Sequence, residues 1–200
     1  MLIRTIILTF LSILFFGSWP LHADQAEPSP QVSSVFLLVA SQQMTDSRFR
    51  KTVLLVTQHG KTGPIGIILN RPLNITLDEV FPEYPAANKL SLFYGGPVYP
   101  RQISYLVRGG EAVEGALMIS ENIYLAFNMT ALGEMLNEKR SYTDLLVVHG
   151  LAAWAPGQLE NEIMQGGWTV MPFDGETVFD LLPTEMWQEL NRRINSSHVI

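Results

Sequence analysis

Two histidines, one arginine turn, one glycine pair and one Trp-Pro-Gly-Gln stretch hold the residue types that could do chemistry in this chain. His59 and His149 each stand at the end of an apolar run, in "TVLLVTQH" and "DLLVVHG". An imidazole titrates near neutrality, so either could serve as a general base in a hydrolase. A base needs a partner, and neither histidine has an acid near it in sequence. No G-x-S-x-G elbow, Walker A loop, Rossmann glycine pattern or H-E-x-x-H pair occurs. "HGKTG" holds Gly-Lys-Thr but lacks the upstream glycine of a phosphate loop. The absence of a nucleophile or an acid–base pair points to a non-catalytic domain with no cofactor and no metal.

Binding remains. Asn70-Arg71-Pro72 offers a planar guanidinium suited to a carboxylate or phosphate, beside a turn residue. Gly95-Gly96-Pro97 gives backbone that can bend or approach something closely. In "LVVHGLAAWAPGQLENEI", His149, Trp154, Pro156, Gly157 and Gln158 form the rim of a turn that leads into a helix. Together these residues make the candidate binding surface, for a protein or small-molecule partner of unknown identity. Each segment also has a structural reading: a turn closed by Asn70, an ion pair for Arg71, and a helix start for Gln158. Asp46-Ser47-Arg48-Phe49 reads as a turn before a strand.

These residues must be positioned by elements. Apolar runs predict strands at 35–40, 52–58 and 64–70, with Pro72 ending the third. Further strands are expected at 89–98, 102–108, 115–120, 144–150 and 168–173. Thr76 with Glu79 three residues on is a capping box for a short helix at 76–81. Ser120 is read as the cap of a helix running through "ENIYLAFNMTALGEMLNEK", weakened at Gly133. A helix follows from Gln158 to about 165, and two more close the chain. Strands dominate the first half and helices come later, so the fold class is α+β: one domain with a coiled, mixed, largely antiparallel sheet flanked by helices.

The chain has 200 residues, 47% hydrophobic and 16% charged, a core-forming composition. The formal net charge is −6, and the basic residues are scattered, which argues against a nucleic-acid partner. There is no cysteine, which excludes disulfides and thiol chemistry. Residues 1–23 carry Arg4 and then an apolar run from Thr5 to Trp19, broken by Pro20. That is the layout of a signal peptide. Residues 24–34, rich in Pro and small polar residues, read as a linker to a domain at 35–200. Cleavage after Ala23 removes the single charge of Arg4, taking −6 to −7. The expected location is periplasmic or secreted, and the membrane is met only through the N-terminal segment if that stays uncleaved.

"FLLVASQQMTDSRFRKTVLLVTQHGKTGPIGIILNRPL", "LFYGGPV", "HGLAAWAPGQLENEI" and the late "WTVMPFD…VFD", in that order over residues 36–182, resemble the AlgH/YqgE family of bacterial proteins. The resemblance implies a single α+β domain with a coiled, bifurcated sheet. The family has no established activity and no agreed catalytic residues to transfer. Its members often carry a transcriptional-regulator label, taken from a link to alginate production, which implies a cytoplasmic alternative. This chain departs from the pattern in its leader, and at Leu151 and Ala153, where the family more often has an aromatic residue and a glycine. An exported protein cannot reach a promoter.

Overall fold

The computed structural model describes residues 35–58 and 63–197. The expected signal peptide, the linker and His59 lie outside the described residues.

The first strands are apolar on both faces because both faces are covered. β1 (Val35–Ala40), β2 (Val53–Gln58) and β3 (Pro64–Ile68) form an antiparallel meander. Alternate residues go to opposite sides. Leu37, Val39, Val53, Leu55 and Ile67 join a core covered by the C-terminal helices. Leu38, Ala40, Leu54, Val56 and Ile68 join a second core beneath Trp154, Leu159 and Trp168. Burying each Val or Leu contributes about 1.5–3 kcal/mol, which fixes the register of the meander.

The chain then makes β4 (Pro72–Thr76), α1 (Leu77–Val80), a 3-10 turn (Pro85–Lys89) and β5 (Ser91–Tyr94). Pro72 does not close the third strand. That strand stops at Ile68, and Pro72 opens β4, at a strand's first residue, where its missing N–H costs little. The capping box at α1 is present, with Glu79 Oε1 accepting from the Thr76 backbone N–H at 3.0 Å. β6 (Val98–Arg108) is longer than its apolar run predicts, and β7 (Leu117–Ser120) follows.

The helix expected from Ser120 is a correction. Residues 121–122 turn, with Asn122 at φ 59°, and β8 (Ile123–Ala126) pairs with both β6 and β7. Asn tolerates this left-handed conformation, which lets a tight hairpin replace a helix start. The helix α2 begins later, at Met129–Leu136, capped by Asn128, whose side chain accepts from the Ala131 N–H at 3.1 Å. Gly133 lies inside α2 against the Tyr84 hydroxyl and does not break it.

β9 (Asp144–Ala153) is the hinge of the architecture. Its first part lies between β6, antiparallel, and β5, parallel, and its end pairs with β3. The sheet therefore runs β10-β1-β2-β3-β9-β6-β8-β7, with β4 and β5 branching from β9. α3 (Gln158–Met164), the edge strand β10 (Trp168–Pro172), α4 (Gly175–Phe179) and α5 (Pro183–Ser197) complete the chain. This is a mixed, largely antiparallel curled sheet flanked by helices, as the composition pattern predicts. Among the described residues, no helix is long and apolar enough to cross a membrane.

The fork needs close backbone contact. The Gly95 N–H donates to the His149 carbonyl at 2.8 Å, and the Ile68 N–H donates to the Gly95 carbonyl at 2.9 Å. Gly96 has φ +154°, and a Cβ there would collide with the Leu151 carbonyl. Gly157 also has positive φ, +80°, but faces open space. Gly96→Ala is therefore expected to lower stability by roughly 2–4 kcal/mol, combining strain and overpacking. Gly157→Ala should cost about 1 kcal/mol from backbone strain alone. Urea unfolding of the two variants checks the difference, and equal losses would contradict it.

Candidate functional site

The described surface has an open pocket of about 530 Å³ between the β1–β2 connection and α3. That volume suits a small organic molecule. Three of the sequence candidates line it: Pro97, Trp154 and Gln158.

Its floor is set by one carboxylate. Trp154, at the end of β9, and Trp168, at the start of β10, are each 4% exposed. Their indole rings meet edge to face, with centroids 6.3 Å apart. Both indole N–H groups donate to Glu162 Oε2, Trp154 at 3.0 Å and Trp168 at 2.8 Å. A buried indole N–H requires an acceptor, and a carboxylate oxygen can accept twice. Gln158 Nε2 donates to the other oxygen, Oε1, at 2.9 Å, while Gln158 Oε1 accepts from the Ala155 N–H at 3.1 Å. Gln158 and Glu162 are four residues apart on α3, on one face of the helix. Pro156 and Gly157 make the turn that aims this face, with Gly157 as the left-handed N-cap of α3.

The opposite wall is the 41–49 segment. Phe49 packs its ring edge-on against Trp168, with centroids 5.6 Å apart. Arg48 forks onto Asp46, with Nη2 to Oδ2 at 2.7 Å, and its guanidinium stands 5.7 Å from the Phe49 ring centroid. The Arg48 hydrogen bond holds the Asp46 carboxyl below its ordinary range, and the same pairing raises Arg48, with Glu162 adding to the rise.

Asn70 and Arg71 do not face the pocket. They hold its wall from behind. Asn70 Oδ1 accepts from the Val53 N–H and its Nδ2 donates to the Lys51 carbonyl, each at 2.9 Å. Arg71 donates to the carbonyls of Arg48, Arg50, at 3.0 Å, and Ser47, at 3.5 Å. Burial lowers the Arg71 pKa from its ordinary value. Pro72 is exposed at the start of β4, and Gly95 and Gly96 are buried in the fork. His149 is tied elsewhere: Nδ1 donates to the Pro100 carbonyl at 3.3 Å and its ring meets Tyr94. The candidates thus divide into pocket lining, wall supports and fork.

Sequence reasoning missed Glu162 and Trp168 as site residues and read Asp46–Phe49 as a turn in which Arg48 could pair with an acid, and that acid is Asp46. The available signal was two tryptophans flanking a helix with two acids, of which Glu162 lies one turn after Gln158. Among the described residues, no group of three or more His, Asp or Glu side chains is placed to hold a metal ion.

A forked-sheet α+β domain with an aromatic, carboxylate-organised pocket is the class that these features define. The chain belongs to the AlgH-like family, whose family model, DUF179, matches residues 37–198. It is 34% identical over 165 residues to a UPF0301 protein of Xylella fastidiosa strain M23, covering 79% of this chain and 87% of that one. A UPF0301 protein of Chlamydia trachomatis serovar A is 32% identical over 157 residues, covering 77% and 82%. The fold is similar to the solution structure of AlgH from Pseudomonas aeruginosa, with a TM-score of 0.68, 24% identity and coverage of 84% and 92%. A crystal structure of a Corynebacterium diphtheriae protein gives 0.68, 23%, 80% and 86%. These relatives are uncharacterised and bring no catalytic residue to the site.

The wall-support role of Arg71 predicts that Arg71→Ala lowers stability by about 1–3 kcal/mol, through three carbonyls losing a charged donor. Arg71→Lys should recover little of it, because one ammonium cannot span the fork geometry. Urea unfolding measures both, and a silent Arg71→Ala would show the wall to be self-supporting.

Proposed function

We propose that this chain is a non-catalytic binding domain, exported by its N-terminal segment, that takes a small ligand or partner group in the pocket between the 41–49 segment and α3. The observation that carries the binding reading is the use already made of the pocket's polar groups. Glu162 receives three N–H donors, and Asp46 is occupied by Arg48. Among the described residues, no histidine lines the pocket to pair with Ser41 as a nucleophile's base. A site whose carboxylates are held in place by their neighbours, between aromatic walls, is suited to recognition. The export reading rests on the apolar leader, and the acidic charge of the chain accords with both.

Export is tested by cell fractionation and N-terminal sequencing of a C-terminally tagged chain. A soluble periplasmic form starting near Asp24 is expected. A cytosolic chain starting at Met1 would overturn export and restore the regulator reading.

Binding is tested by thermal-shift screening of the purified protein against small cations, anions and neutral molecules. At least one class should raise the Tm of the wild type but not of Phe49→Ala, which opens the wall while leaving the strands intact. Identical responses from the two proteins would remove the pocket from the account.

A further inference from the structure

The pocket's charges identify the ligand class, an inference that rests on the binding reading above. Three charged side chains line it: Asp46, Arg48 and Glu162. Arg48 and Asp46 neutralise each other at 2.7 Å. Glu162 is met by neutral donors only, two indoles and an amide, so no ion pair among the described residues offsets this carboxylate at the floor. Neutral donors orient a carboxylate without cancelling it.

Its acceptor capacity is also unspent. An ionised carboxylate offers about four lone-pair directions. Oε2 takes two N–H groups, whereas Oε1 takes one, from Gln158. One acceptor direction on Oε1 is left. The lining is mixed, with Met44, Phe49, Trp154 and Trp168 standing among polar neighbours such as Gln43 and Gln165. The aromatic and thioether groups suit a cation on a hydrocarbon stem. The chain's own cation already takes such a place. Arg48 stands over Phe49 although 61% of its side chain is exposed, held there by Asp46.

We propose that the pocket binds an alkylammonium group, its nitrogen donating to Glu162 Oε1 and its stem lying along Phe49 and the two tryptophans. The group can come from a free amine or from a protein lysine, which share this chemistry. An anionic ligand would meet Glu162 head on, and a neutral alcohol would leave its charge unmatched.

The probes are n-butylammonium, n-butanol and butyrate, titrated at constant ionic strength into the purified protein and read by tryptophan fluorescence and indole N–H chemical shifts. Saturable binding of n-butylammonium is expected at about 1–10 mM, as for so small a ligand, with the other two at least tenfold weaker. Glu162→Gln should weaken n-butylammonium at least tenfold. Arg48→Gln, on the exposed rim, should strengthen it severalfold, a gain that a merely structural role does not produce. A capped Gly-Lys-Gly peptide binding more tightly than n-butylammonium would assign the group to a protein lysine, and weaker peptide binding would assign it to a free amine. Butyrate or butanol binding as well as the amine would overturn the ligand class and leave a binding pocket standing. Saturation by none of the three probes or the peptide, with the wild type folded, would overturn both.

Discussion

The Glu162 carboxylate is the interaction on which the site depends. It collects N–H donors from the end of β9, the first turn of α3 and the start of β10. Two buried indoles would otherwise carry unpaired N–H groups, each costing on the order of 1–3 kcal/mol. One acceptor removes both costs and fixes the angle at which the helix leaves the sheet. The 41–49 segment then closes against Trp168 through Phe49. Packing and pocket shape are therefore coupled, since the group that lines the pocket also orders its floor.

The floor can be ordered in this way because the sheet forks. β9 gives its early residues to β5 and β6 and its last residues to β3, so its end turns out toward α3 carrying Trp154. The crossing is made possible by glycine. Gly95 and Gly96 lie against the backbone of residues 149–151, where any side chain would force the strands apart. The Asn-Arg-Pro turn acts at the next joint, clamping the 47–51 backbone to the end of β3. The turn motifs are mostly joints, and the pocket wall is what they hold in place.

Much of this was legible in the sequence. The apolar runs at 35–40, 52–58 and 144–150 announce buried strands, and the cores on both faces of the meander give the reason. The α+β class, the capping box at Thr76 and the helix after Pro156-Gly157 follow from local chemistry. The strand at Ile123–Ala126 was not legible. "ENIYLAF" suits a helix as well as a strand, and the deciding term is pairing with β6, some twenty residues away in sequence. The Glu162 contacts were equally hidden. They join residues six and eight apart across three elements, and no local periodicity reports such a meeting. His149 looked chemical because it ends an apolar run, yet it lies inside β9, and its ring meets a carbonyl and a tyrosine ring.

The most direct measurement of the account is the set of indole N–H resonances in wild type and Glu162→Gln. If one carboxylate oxygen accepts from both Trp154 and Trp168, the substitution should move both resonances together. The Trp187 resonance should stay in place, since its N–H donates to the Ala40 carbonyl. Unmoved Trp154 and Trp168 resonances in a folded variant would contradict the carboxylate as organiser of the site.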